Sequence, residues 1–208
     1  MLQTAVELAD REGLEAVSMR KLAVELAAGA MSLYHYFPSK DTLLAAMVDI
    51  VFAEIEAPVT GLDWKTSLRR RAISTRAALR RHPWALDIME SSTQPGMASL
   101  RLHNAVLACL REAGFSVADA VHAYSVQDAY IYGFALQEKN LPFSTSEEAA
   151  QIGALMIEQF QSLADELPYS YEVVGGHVAK GGYDPTTEFE FGLDLILAGL
   201  EQLVRRDG

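Results

Sequence analysis

The sequence predicts an all-α protein: an N-terminal three-helix domain with a helix-turn-helix, followed by a larger helical domain. Three observations carry this. Apolar residues recur at three- and four-residue spacing through nearly every segment. Half of the 208 residues are apolar, ample for a packed core. No stretch alternates apolar and polar residues with the two-residue period of a half-buried strand, and no internal repeat is found.

The first helix is read over 2–11, where Leu2, Ala5, Val6, Leu8 and Ala9 fall on or near one face and Gly13 supplies a stop. Ser18 is an N-cap for the second, whose Met19, Leu22, Ala23 and Leu26 form one apolar stripe. Ala27-Ala28-Gly29 is small enough to turn the chain. The third helix is read over 30–36. Its Leu33 and the following Phe37 are four apart and pack inward. Ala30, Met31, Ser32, Tyr34, His35 and Tyr36 are left to the surface and flanks. Pro38 stops that helix, and Ser39 caps a linking helix over 40–56. The run Ala57-Pro58-Val59-Thr60-Gly61 is the clearest break in the chain. Helices then follow over 63–82, 83–91, 95–113, 116–139, 145–167 and 186–206. Residues 169–185, with Gly175, Gly176, Gly181 and Gly182, are expected to be irregular. That glycine-rich stretch lacks the GxxxxGK[ST] spacing of a phosphate-binding loop.

In a helix-turn-helix the second helix enters the major groove. Small residues at its start permit close approach to base edges, and aromatics near its end suit phosphates and thymine methyls. Three short helices with this crossing also occur in domains that never touch nucleic acid. The formal net charge of −11 counts against a nucleic-acid partner, and residues 1–50 hold four Lys/Arg against seven Asp/Glu. Any contact with phosphate must therefore be local, through Arg20, Lys21, Lys40 and helix N-termini. This predicts modest non-specific affinity. Cys109 is the only cysteine, so no internal disulfide forms; its apolar run reads as a buried structural thiol. Neither a signal peptide nor an apolar run of about 18 residues is found, so a cytoplasmic location is expected.

The stretch GLEAVSMRKLAVELAAGAMSLYHYFPSKDTLLAAMVD resembles the N-terminal domain of the tetracycline-repressor (TetR) family of transcription regulators. The matches are SMRKLA, the GAMSLY-aromatic run and the aromatic-Pro-Ser-Lys-Asp-x-Leu-Leu entry to the next helix. Residues 114–136 look like the long helix after that family's ligand pocket, and 189–204 like its terminal dimer helix. The resemblance implies a homodimeric, ligand-responsive regulator, a repressor of palindromic operators, with residues 1–47 as the reading domain and 48–208 for effector binding and dimerisation. It implies DNA contacts from Met19, Arg20, Ala30, Met31, Ser32, Tyr34, His35, Tyr36 and Lys40. Helices 116–139 and 186–206 would pair with their mates through Val117, Val121 and Tyr124, and through Phe191, Leu195, Leu200 and Leu203. Two departures stand out. The family usually has Gly in the turn where this chain has Ala27, so either Ala27 is left-handed, at about 1 kcal/mol, or the turn re-forms around Gly29. Many members also open with a basic arm for the minor groove, and this chain starts at Met1-Leu2 without one.

Residues 65–82 carry seven basic side chains and no acidic one. Most are expected to be solvated. Arg71 is the exception, because Arg71 and Thr75 match two cavity positions of the family. A buried guanidinium there would want an anionic or carbonyl-bearing ligand. Aromatics and methionines (Trp84, Met89, Met97, Tyr124, Tyr130, Tyr132, Phe134) cluster where a cavity would lie, with His103, Asn104, Gln127 and Asp128 among them. Such stripes are more often plain core; the polar insertions favour a pocket. The effector candidates are Arg71, Thr75, Trp84, Met89, His103, Val106, Leu107, Tyr124, Gln127 and Asp128. A buried Asp128 needs a partner, in the pocket or across a dimer interface. Where tetracycline-binding members hold a metal with His and Glu, this chain has Glu90 and Gln137. The resemblance thus implies no metal or other cofactor, and a neutral or weakly anionic, partly aromatic effector.

Two rivals remain. An all-helical enzyme would need a nucleophile with its base, a metal set or paired carboxylates, and the five histidines show no HExxH-like spacing. A helical small-molecule-binding or interaction module that has lost DNA binding would fit the acidic head and Ala27.

Overall fold

The computed structural model describes residues 1–59, 61–91 and 95–204, the side chains of residues 30, 90 and 91 aside. Eleven α-helices, α1 to α11, and two 3₁₀ turns are found among them, and no strand.

Among the described residues, 1–135 and 197–204 make one compact unit. Its reading head holds α1 (Leu2–Glu12), α2 (Met19–Glu25) and α3 (Ala30–Tyr36), and α4 (Lys40–Ala53) leads away from it. Ala5, Val6 and Leu8 of α1, Leu22 of α2, Leu33 of α3 and Leu43 and Met47 of α4 are all buried in one core. Ser18 caps α2 by accepting from the Lys21 N–H at 3.2 Å. Ser39 and Thr42 form a capping box at the start of α4. The turn between α2 and α3 decides between the two alternatives set by Ala27. Ala27 has φ of 49°, while Gly29 sits at −76° in ordinary extended backbone. The Ala28 N–H bonds the Ala23 carbonyl at 2.9 Å and the Ala27 N–H bonds Val24 at 3.1 Å. That is the Schellman closure, with alanine in the left-handed position glycine usually takes.

Beyond the break lie α5 (Trp64–Arg81), α6 (Trp84–Ser91), α7 (Met97–Glu112) and α8 (Val117–Lys139). Asp63 caps α5, and Ser116 with Asp119 fixes the start of α8. The start of α7 is different. Its N-cap is Gly96, which has no side chain to offer, and the Asp49 carboxylate of α4 accepts from the Ala98 and Ser99 N–H groups at 2.9 and 3.1 Å. A Cβ on residue 96 would collide with that carboxylate. The linking helix therefore caps α7.

Residues 136–196 make the other unit. It contains α9 (Ser146–Gln161), started by the Thr145/Glu148 capping box, and α10 (Pro168–Gly176). The stretch expected to be irregular is thus partly helical: Pro168 occupies the first turn, where its missing N–H costs nothing. A 3₁₀ turn at Val178–Lys180 packs on α9 at Gly153, where a Cβ would stand 2.8 Å from the Ala179 nitrogen. The last helix, α11, runs Pro185–Val204; the expected end at 206 lies outside the described residues.

Candidate nucleic-acid interface and effector core

The α2–α3 pair presents one dry face and one wet face. Leu33 is 3% exposed and Phe37 packs against the core, as their spacing requires. Met31 is 83% exposed; Ser32, Tyr34, His35 and Tyr36 are exposed beside it. The His35 and Tyr36 rings meet edge to face at 5.7 Å. Ala30 opens α3, but its side chain lies outside the described residues. Arg20 and Lys40 are exposed. Met19 is corrected: at 6% exposure it belongs to the core, because it continues the inward stripe of Leu22 and Ala23, and its side chain is not presented to a groove. Lys21 is corrected too. Its ammonium is bonded to Glu12, and Arg11 is bonded to Glu25 at 3.0 Å. The Lys21 and Arg11 contacts hold the Glu12 carboxyl below the ordinary range. Of the four Lys/Arg residues over 1–47, Arg20 and Lys40 carry no such partner among the described residues.

The corner between α5 and α6 was not foreseen. His82 is buried between two carboxylates, with Nδ1 2.8 Å from Asp10 of α1 and Nε2 3.2 Å from Glu54 at the end of α4. The Trp84 indole N–H donates to the same Asp10 oxygen at 2.6 Å. Arg81 reaches Glu54 at 2.7 Å. Burial pushes the Glu54 carboxyl upward, but the Arg81 and His82 hydrogen bonds outweigh it, leaving the group below its ordinary value. Trp84 is therefore corrected from effector residue to structural tie: it is 4% exposed, bonded to the reading head and part of the same core. No sequence signal marks Asp10 or His82 for this task, since the contact spans more than 70 residues.

The second constellation surrounds Arg71, which is 1% exposed. Its guanidinium stands 2.6 Å from Asp128, a close ion pair whose N–H is poorly aligned on the carboxylate oxygen. It also donates to the Gln127 amide oxygen at 3.0 Å, and Gln127 in turn donates to the Leu68 carbonyl at 3.3 Å. The Thr75 hydroxyl donates to the Arg71 carbonyl. The Tyr124 ring lies 5.8 Å from the guanidinium and stacks, tilted, on the exposed His103 at 4.3 Å. Burial pushes the Tyr124 and Tyr132 hydroxyls well above their ordinary pKa, with Asp128 adding to it. Among the described residues, three buried side-chain atoms here have no hydrogen-bond partner: Arg71 Nε, Ser67 Oγ and Asp128 Oδ1, the last held by the ion pair alone.

Arg71, Thr75, Tyr124, Gln127 and Asp128 are thus brought together as a group. Asp128 finds its partner within the chain. The expectation that Arg71 waits for an anion is corrected, because Asp128 already meets its charge. Val106 is fully buried and Leu107 half-buried on α7. Met89 packs against the core and lines a cleft of about 160 Å³ beside Asp49 and Gly96. Met97, at 58% exposure, and Asn104 stay outside the cluster. A second buried arginine was missed: Arg76, 6% exposed, lies 5.6 Å from the Phe134 ring. Exposed basic residues of α5 are ion-paired rather than simply solvated, Arg70 to Glu56 and Lys65 to Glu201. The Glu90 side chain lies outside the described residues. Among the described residues no group of three or more His, Cys, Asp or Glu is placed to hold a metal, and no helix is long and apolar enough to cross a membrane.

Two family models match the chain: "Bacterial regulatory proteins, tetR family" over residues 1–47, and "Tetracyclin repressor-like, C-terminal domain" over residues 57–204. The chain is 33% identical over 210 residues to the HTH-type transcriptional repressor DrrR1 of Streptomyces coeruleorubidus, across 98% of this chain and 77% of the relative. It is 29% identical to the tetracycline repressor protein class C of Escherichia coli, across 98% and 90%. Its fold is similar to that of ActR from Streptomyces coelicolor, solved in complex with actinorhodin. The TM-score is 0.78 at 28% identity, covering 98% of this chain and 95% of that one.

Proposed function

The chain belongs to the tetracycline-repressor family of bacterial transcription regulators, and from that premise we propose which of its residues do the work. It is a ligand-responsive transcriptional repressor that binds duplex DNA as a homodimer. In our reading, residues 1–47 are the reading domain and 48–208 the effector and dimer domain. Met31, Ser32, Tyr34, His35 and Tyr36 meet the groove, with Ala30 at the close approach, and Arg20 and Lys40 take phosphates. The observation that carries this is the wet face of α3: a methionine and two tyrosines held out in water, on a helix whose Leu33 is locked inward. Such a face has no structural use unless something covers it.

The Arg71–Asp128 core, with Thr75, Tyr124, Gln127, His103, Val106, Leu107 and Met89 around it, is the effector region in this reading. Because Arg71 is already neutralised, the guest it suits is uncharged, flat and rich in acceptors able to reach Arg71 Nε. The similarity to ActR, solved in complex with actinorhodin, supports a small-molecule guest. A dimer sets its two recognition helices about 34–36 Å apart, matching successive major grooves. A guest that binds unequally to two such spacings shifts operator affinity. Val117 and Val121 of α8, and Phe191 and Leu195 of α11, are at least half exposed and serve as pairing surfaces; Leu200 and Tyr124 turn inward instead. No catalytic role is assigned, and the cytoplasm is the expected location.

The test is selection of bound fragments from a random duplex pool, followed by affinity measurement on the winning site. A twofold-symmetric site is expected, with Ser32→Ala and Tyr34→Ala each weakening binding at least tenfold. Recovery of no preferred duplex at low salt would favour the module that has lost DNA binding.

A further inference from the structure

A second cavity lies away from the Arg71 core. It is a cleft of about 490 Å³ between the segment leading into α5 and the C-terminal half of α7, a size that accommodates small organic ligands. Helix α7 separates the two places. Its Leu102, Val106 and Leu110 form the buried face, whereas Ala105, Ala108 and Glu112 fall on the other side and line the cleft.

The cleft has a lining of mixed apolar and polar surface and two carboxyls on it. Val59, Leu62 and the Trp64 ring form its wall, over a floor of alanines. Val59 and Leu62 are 52% and 45% exposed, so apolar surface here is left to water. Trp64 is held by an edge-to-face contact with the buried Phe115 at 5.1 Å, so its ring is fixed in place beforehand. Glu112 and Asp63 are the ionisable carboxyls on the lining, Asp63 also accepting from the Thr66 N–H and hydroxyl as the cap of α5, and no Lys or Arg lines it among the described residues. The neighbouring bases are engaged elsewhere: Lys65 with Glu201 at 2.8 Å, Arg111 with the Phe115 carbonyl. Cys109, also on the lining, does not supply a thiolate. Burial pushes its thiol upward, and Glu112 pushes it further the same way.

We propose that this cleft is a binding site for a lipophilic organic monocation, seated against Trp64 and balanced by Glu112 and Asp63. An aromatic ring and carboxylates on the lining, with alanines beside them, favour a weakly hydrated positive charge. The same surroundings disfavour an anion of equal shape. Because α7 carries this cleft on one side and Val106 and Leu107 on the other, occupancy here can bias the effector region, provided the two states of α7 bind the cation unequally.

The test uses two probes of matched shape and opposite charge, tetraphenylphosphonium and tetraphenylborate, titrated into the full-length protein by calorimetry. Saturable binding of the cation at one per chain is expected, with the borate at least tenfold weaker. Glu112→Gln, an exposed and mild change, should weaken the cation about three- to tenfold. Ala108→Phe, which fills the hollow from an exposed position, should abolish binding. Both variants should keep the parent's helical circular dichroism and operator affinity. Equal binding of the two probes, or undiminished cation binding in Ala108→Phe, overturns the proposal. Should Ala108→Phe lose helicity, the Glu112→Gln result decides: unchanged affinity there is equally fatal.

Discussion

Individual side chains set the sharpest expectations. Ala27 occupies a left-handed position at φ of 49°, where an L-residue is strained by about 1 kcal/mol. Ala27→Gly should raise stability by no more than about 0.5 kcal/mol, after allowance for the more flexible unfolded chain. Ala28→Gly, one residue on, gains nothing; paired thermal melts of the two variants check this. The Arg71–Asp128 pair is buried, so removing one partner strands a charge. Asp128→Ala should cost about 3–5 kcal/mol, whereas Arg71→Met combined with Asp128→Leu should recover most of that loss. Denaturant midpoints of the three variants measure it. Sequence reasoning reached Arg71 and Asp128 separately but left Asp128's partner open. Their 57-residue separation gives no local signal, and only the packing of α5 against α8 brings them together.

Helices and their junctions were legible where local chemistry decides them and obscure where partners come from afar. The capping boxes at Ser39 and Thr145, the Ser116 cap and the Pro38 stop are written in four-residue spacings. Helix α10 was missed, since glycines at its end hid a helix that Pro168 starts. Trp84 was taken for a pocket residue because an aromatic among apolar neighbours looks alike in either place; its indole bond to Asp10 is invisible in one dimension. Gly96 likewise gave no hint that Asp49 stands in for its missing cap. Asp49→Ala should therefore destabilise α7 by about 1 kcal/mol, while Asp49→Asn, which keeps an acceptor, should lose less. Hydrogen exchange at the Ala98 and Ser99 amides separates this from a general loss of stability. The Glu54 junction adds a pH dependence. A carboxyl depressed in the folded state stabilises it above the ordinary value of about 4.5, and that contribution fades as pH falls below it through the depressed value. Glu54→Gln should flatten the acid limb of the melting-temperature profile below about pH 4.5, leaving the neutral and alkaline side unchanged in shape.

For the assembled repressor, association and salt are the governing variables. Phe191→Glu places a charge on a surface that pairing must dehydrate, so sedimentation at micromolar concentration should show monomers and operator affinity should collapse. In our proposed reading Arg20 and Lys40 take the phosphate contacts in each subunit. The logarithm of operator affinity should therefore fall with the logarithm of salt at a slope of about −4, from about −0.9 per neutralised phosphate over both subunits. The bond between Glu12 and Lys21 bears on that figure. Glu12→Gln would unleash a lysine in each subunit and steepen the slope by about two, tightening non-specific binding more than specific. An anion that never meets the operator thus works as a governor on this repressor's grip: natural variation at one carboxylate could tune how long the molecule lingers on the wrong stretches of a chromosome, with no change in the letters it reads.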